Sequence, residues 1–189
     1  MRLALFRAMA QLWYCGQVYC RMTLSLKLRL ALILLILCCT VGCDQTTKHI
    51  ARSTLGEKRI IMIPGGFGEF RFAENPGAFL SFGDSLSKPV RLTVFTVGVG
   101  IGLFGLLAYL VFGGHPSRLL FAGFGLVWAG GISNLIDRLT QHGLVRDFMV
   151  LRIGPFYTGI FNVADVAIMV GGAMIVCDYF LRQRKQVQK

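Results

Sequence analysis

The sequence predicts a membrane all-α fold: a bundle of four transmembrane helices with a small extracytoplasmic β-structure in the first long loop. Three observations carry this reading. First, 54% of the 189 residues are hydrophobic and only 15% are charged, with a mean hydropathy of +0.62. An ordinary soluble domain is about 45–50% apolar and about 25% charged, and disorder goes with low hydrophobicity and high charge, so both classes are excluded. Second, the chain contains uncharged runs long enough to cross a bilayer. Third, the net charge of +11 is not gathered on an aromatic-studded polar segment, as nucleic-acid binding would ask. The basic residues sit at the two ends and in the first long polar stretch, beside the apolar runs.

The elements follow in order. In residues 1–27, Arg2, Arg7, Arg21 and Lys27 interrupt short apolar stretches, which suits a cytoplasmic leader. A second Met stands at Met22. Leu30–Cys43 is uncharged over 14 residues, short of the roughly 20 that a span needs. Extension back to Leu24 supplies the length, with Lys27 and Arg29 reaching the headgroups. A polar loop over about 44–89 follows, on the far side of the membrane. In it, Arg59-Ile60-Ile61-Met62-Ile63 and the alternating Glu69-Phe70-Arg71-Phe72 flank a Pro64–Gly68 turn cluster, the pattern of a hairpin. Leu92–Gly114 and Leu119–Ile136 are uncharged over 23 and 18 residues, joined by a short turn. The link to the fourth span is longer and reads as a loop holding Asp147. The fourth span, Ile160–Leu181, carries Asp165 and Asp178, and 183–189 form a basic tail.

Four spans put both ends on one side. Lys and Arg divide evenly, 10 and 10, between the two sides. The rule that basic residues stay inside weights short loops and span ends. Lys27, Arg29, Arg118, Arg182, Arg184 and Lys185 meet that condition, so the ends are assigned inside and both long loops outside.

An ionisable residue in or beside a span is costly and becomes a functional hypothesis. Asp44 and Lys48 follow the first span at i,i+4. Asn134, Asp137 and Arg138 end the third on one helix face. Asn162 and Asp165 begin the fourth, and Asp147 precedes it. Each alone has a plain reading: interfacial anchors, a local ion pair, a solvated carboxylate, or amides bridging helices. Asp178, near the basic tail, is assigned to that plain class. Together, polar groups at one membrane surface favour a site. No nucleophile elbow, P-loop or zinc-helix motif is present. The six Cys and three His show no ligand spacing, so neither metal nor disulfide framework is expected. Asp147 and Asp165 stand 18 residues apart. Two carboxylates brought together hold one proton between them, which is the arrangement of an aspartic protease.

Five segments, in order, resemble lipoprotein signal peptidase (signal peptidase II), the bacterial family that removes signal peptides from lipid-modified prolipoproteins. They are Asp44-Gln45-Thr46-Thr47-Lys48, Asn75-Pro76-Gly77-Ala78-Phe79, Asn134-Leu135-Ile136-Asp137-Arg138, Val145-Arg146-Asp147-Phe148 and Phe161-Asn162-Val163-Ala164-Asp165. The resemblance covers about 28–182, taken as the membrane peptidase domain. It implies an extracytoplasmic β-cradle containing the hairpin, and an aspartate dyad of Asp147 and Asp165. It assigns Asp44, Asn75, Gly77, Asn134, Arg138 and Asn162 to supporting or substrate-positioning roles, with Lys48 and Asp137 beside them. The implied substrate is a prolipoprotein with a diacylglyceryl-Cys, cut just before that Cys by a monomer in the inner membrane. The active site would face the periplasmic or outer surface. Membrane lipids are the other partner, no nucleic acid is expected, and no cofactor is needed. Ser133 stands where the family usually has Gly, Arg146 where an apolar residue is usual, and Val166 where Ser is common. Ser133 is small enough to keep close packing, and Arg146 could lower the pKa of a nearby carboxylate.

Two rival functions compete with this one. Leu30–Val41 followed by Gly42-Cys43 resembles the lipobox of a lipoprotein, but Thr40 stands where an aliphatic residue is preferred and three further spans follow. A transporter or channel component could also line a path with polar groups, yet the second span has no charge and four short helices leave little room.

Overall fold

The computed structural model describes residues 25–56, 59–77, 83, 85–114 and 116–187. The leader expected over 1–27 therefore lies almost wholly outside the described residues, as do Ala78 and Phe79 of the second motif.

Among the described residues, four helices are long and apolar enough to cross a membrane. They are α1 (Leu26–Leu55), α2 (Lys88–Phe112), α3 (Arg118–Thr140) and α4 (Val163–Val187). In hydrocarbon a helix satisfies its own backbone, so uncharged runs of this length have no better state. Helix α3 is central: it packs on α1, α2 and α4, most extensively on α4. Ile33 of α1, Leu103 and Leu110 of α2, and Phe121, Trp128 and Ala129 of α3 form one buried cluster. The α3–α4 approach depends on glycine. A Cβ on Gly130 would lie 2.6 Å from the Ala164 carbonyl oxygen, and one on Gly171 would lie 2.5 Å from that of Gly123. Small residues at such crossings let two backbones meet.

Helix α1 runs 12 residues past Cys43 without a break. Asp44 and Lys48 thus lie inside the helix rather than after it, and Cys43 sits in continuous helix. At the other end, Arg29 does not reach for headgroups. It is buried and donates to the carbonyls of Val111 (3.1 Å), Gly113 (2.9 Å) and Gly114 (3.1 Å). These belong to the last turn of α2 and the chain just beyond it, where carbonyls lack intrahelical partners and a cation is favoured. Asp178 is also buried there. It accepts from the Ser117 hydroxyl that caps α3 and pairs with Arg182 at 2.6 Å.

The hairpin expected over 59–72 is present as β1 (Ile60–Met62) and β2 (Gly68–Asn75), paired antiparallel with Met62 opposite Glu69. The sheet extends beyond the first loop, however. The link read as a loop supplies β3 (Val145–Ile153) and β4 (Phe156–Tyr157), giving the order β1-β2-β3-β4. Asp147 therefore stands on a strand, opposite Ala73 of β2. Its pairing partner lies 74 residues away in sequence, which no local pattern reports. The α3–β3 connection is tight: Gly143 adopts φ +94° and its N–H closes on the Arg138 carbonyl at 2.8 Å. Ala51 and Leu55 of α1 pack on Phe148 of β3 beneath the sheet.

Candidate active site

The C-terminal parts of α1 and α3, the start of α4 and the strands β2 and β3 bring the candidate residues into one buried cluster. The start of α4 shows how locally this is built. Asn162 precedes the helix, and its side-chain oxygen accepts from the Asp165 N–H at 2.9 Å. Asp165 answers by accepting from the Asn162 N–H at 3.2 Å. This reciprocal bonding is a capping box with Asn and Asp in its two positions. It satisfies two otherwise orphaned donors and fixes both side chains before any other contact is counted.

Asn162 also reaches Asp147. Its side-chain amide donates to Asp147 Oδ1 at 2.6 Å and to Asn134 Oδ1 at 3.1 Å. The Asn75 amide donates to Asp147 Oδ2 at 2.9 Å. The Asn134 amide donates to Asp165 Oδ1 at 2.9 Å. Both carboxylates are thus buried, oriented by asparagine amides from α3, β2 and the residue before α4, and joined through Asn162. Asp147 is only 1% exposed. Burial first, and the neighbouring Asp165 charge second, push its pKa up to about 7, against the opposing amide hydrogen bonds from Asn75 and Asn162.

A second layer sits behind the pair. Lys48 is fully buried, and its ammonium meets Asp44 at 2.6 Å, Asp137 at 2.9 Å and Asn134 Oδ1 at 3.0 Å. Asp44 also accepts from the Ala164 N–H at 2.8 Å and the Ser133 hydroxyl at 2.7 Å. Arg138 donates to the Gly77 carbonyl at 2.9 Å, while Gly77 donates to Asn75 Oδ1 at 2.9 Å. The Arg138 guanidinium lies 6.0 Å from the Phe95 ring, which is buried in a π-helical stretch of α2, Leu92–Gly98. All ten residues singled out from the sequence fall in this cluster; Asp178 lies at the opposite end of the bundle.

Three participants had no assigned contact. Ser133 stands in a close crossing, as its size suggested, but it also donates to Asp44. Gln45 donates to Ser133 Oγ at 3.0 Å and to Asp137 Oδ1 at 3.1 Å. Arg146 directs its guanidinium to Asp137 (2.5 Å) and Gln45 (2.9 Å), not to the adjacent Asp147. The signal for these two was charge or amide beside a motif aspartate, which does not say which carboxylate is met. Val166 is exposed on α4 and takes no part.

The family model for signal peptidase (SPase) II matches residues 30–181. The chain is similar to the lipoprotein signal peptidase of Aquifex aeolicus, 34% identical over 137 residues, covering 72% of this chain and 78% of that protein. It is 34% identical over 157 residues to the one from Chlorobium phaeovibrioides, covering 76% and 87%. It is 35% identical over 145 residues to the one from Moorella thermoacetica, covering 76% and 89%. Its fold is similar to that of two bacterial membrane enzymes solved by the in meso method. The first has a TM-score of 0.71 and 26% identity, with 84% of this chain and 92% of that one covered. The second has a TM-score of 0.66 and 27% identity, with 78% and 91% covered.

Proposed function

This chain belongs to the signal peptidase II family, and we propose that Asp147 and Asp165 are the carboxylates with which it removes signal peptides from prolipoproteins. One observation carries the assignment: two buried carboxylates, on β3 and on the first turn of α4, both accept hydrogen bonds from Asn162. Like charges this close in a desolvated site share a proton. The surrounding charges agree. The cluster holds four carboxylates, Asp44, Asp137, Asp147 and Asp165, and three basic side chains, Lys48, Arg138 and Arg146, and a single proton on the pair brings it to neutrality.

The chemistry follows from that proton. One carboxylate takes a proton from a water as the water oxygen attacks the scissile carbonyl carbon. The other carboxyl gives its proton to the carbonyl oxygen, and a neutral gem-diol forms. Its collapse returns a hydroxyl proton to a carboxylate while the C–N bond breaks, and the leaving amine takes a proton from the pair. One proton again remains on the dyad. Asn75, Asn134 and Asn162 hold the carboxylates, while Asp44, Lys48 and Asp137 tie α1, α3 and the start of α4 together beside them. Arg138 holds the Gly77 backbone next to Asn75. The step uses carboxylates and water alone.

The finer reading rests on where the site lies. It is built at the ends of spans, so a substrate held in the bilayer by its diacylglyceryl-Cys would present the bond beside that Cys at the right depth. Burying acyl methylenes contributes about 0.8 kcal/mol each. The basic residues near span ends favour a surface outside the cytoplasm. We take 28–182 as the peptidase unit, acting as a monomer in the inner membrane. The uncharged Leu92–Phe112 stretch of α2 and the family membership disfavour a transporter, and Cys43 in an unbroken helix disfavours a lipobox.

The test is cleavage of a diacylglyceryl-modified prolipoprotein by purified protein. Asp147→Asn and Asp165→Asn should each lose about 10²–10⁴-fold in rate, while Asp178→Asn cleaves normally. Retention of more than about a tenth of the rate by either dyad variant would reject these carboxylates, with Asp137 the next candidate. Equal cleavage of the unmodified precursor would reject lipid recognition.

A further inference from the structure

Arg146 lies outside the dyad and its asparagine supports, yet it is wired to both. It precedes Asp147 on β3, opposite Glu74 of β2. Its guanidinium meets Asp137 Oδ1 at 2.5 Å, and its own backbone N–H meets Asp137 Oδ2 at 3.0 Å. One carboxylate at the end of α3 is thus gripped from both ends of a single residue. The guanidinium also donates to Gln45 Oε1 of α1 at 2.9 Å. The Arg146 carbonyl accepts from the Asn162 amide at 3.5 Å, the same amide that donates to Asp147. Arg146 therefore joins α1, α3, β3 and the start of α4 at the residue beside a dyad carboxylate. Its side chain is 11% exposed, so solvent screens its charge weakly.

The charge environment makes this more than a brace. Its guanidinium meets Asp137 of α3 and Gln45 of α1 directly, and Glu74 is its partner on β2. Lys48 links Asp137 to Asp44, and Arg138, Asp147 and Asp165 complete the charged groups of the same buried cluster. Without Arg146, four buried carboxylates face two basic side chains, and the cluster can be neutral only with a second proton.

We propose that Arg146 is a positioning residue whose charge sets the pH range in which the Asp147–Asp165 pair holds a single proton, and whose grip on Asp137 sets where Asp147 stands. This rests on the dyad assignment above. A carboxylate pair of this kind works with one proton, so its rate falls on the acid side when a second proton binds and on the alkaline side when the last one leaves. Loss of a nearby cation favours protonation, so both limbs move to higher pH.

The experiment is the pH profile of kcat/KM for cleavage of a diacylglyceryl-modified prolipoprotein, with wild type, Arg146→Gln, Arg146→Lys and Asp147→Asn. Gln keeps a donor for Asp137 but not the charge; Lys keeps the charge but not the planar fork. In Arg146→Gln both limbs should move up by about one pH unit, whereas in Arg146→Lys they should stay in place with a lower maximum. Limbs that do not move in Arg146→Gln overturn the charge role, even if the rate drops. Limbs that move up in Arg146→Lys overturn it too, and this variant decides the question if Arg146→Gln does not fold. Asp147→Asn should be inactive at every pH. If it cleaves, the dyad assignment itself fails, and the role of Arg146 with it.

Discussion

Asp147 should make this protein less stable as the pH rises, and its amide variant should not share that behaviour. Its carboxyl ordinarily titrates near 3.8 and is pushed up to about 7 here by burial, with the Asp165 charge adding to it. Between those values the folded chain holds a proton that the unfolded chain has released. Stability therefore is fully present below about pH 4 and is lost as the pH climbs through about 7. At about 1.4 kcal/mol per pH unit, the interval corresponds to a loss on the order of 4 kcal/mol. Asp147→Asn removes this dependence. It also brings a constant cost, because Asn75 and Asn162 both donate to Asp147 and an amide has only one accepting oxygen. The informative quantity is thus the difference between pH values, not the absolute stability. Thermal unfolding in detergent at pH 5 and pH 8 should show the variant gaining on wild type by roughly 3 kcal/mol. For a chain of this size that is roughly 10 °C in Tm. An unchanged Tm gap at the two pH values, or a gap that favours wild type more at pH 8, would refute the reasoning.

Lys48→Met should cost about 3–5 kcal/mol, since it leaves Asp44 and Asp137 buried without their shared cation. Combining it with Asp44→Asn should cost less than the sum of the two single changes, and additive losses in chemical denaturation would contradict the shared-cation account. Gly130→Ala should destabilise by about 1–3 kcal/mol and slow cleavage, because its Cβ would meet the backbone one residue before Asp165. Gly172→Ala, which meets open space on the same pair of helices, should do neither; equal Tm losses would show that the crossing does not depend on Gly130. Chelation with EDTA should leave cleavage unchanged, and a loss restored by added zinc would overturn a mechanism of carboxylates and water alone.

By itself the sequence determined the four spans and the local faces of the site. Lipid cannot solvate a bare backbone or a stray charge, so an uncharged run such as Leu92–Gly114 has one reading. Helical spacing put Asn134, Asp137 and Arg138 on one face and Asn162 and Asp165 together at the start of the fourth span. The hairpin over 59–72 was visible because turn residues and alternation are local too. What the tertiary structure decided was which of these groups meet. Asp147 lies on a strand because β3 pairs with β2 across two intervening helices. Arg29 turned inward because the carbonyls at the end of α2 lacked partners, and Arg146 chose Asp137 over the carboxylate beside it. A buried charge is stable only where its partners converge on it. Those partners come from elements far apart in sequence, so no short stretch of residues records the choice.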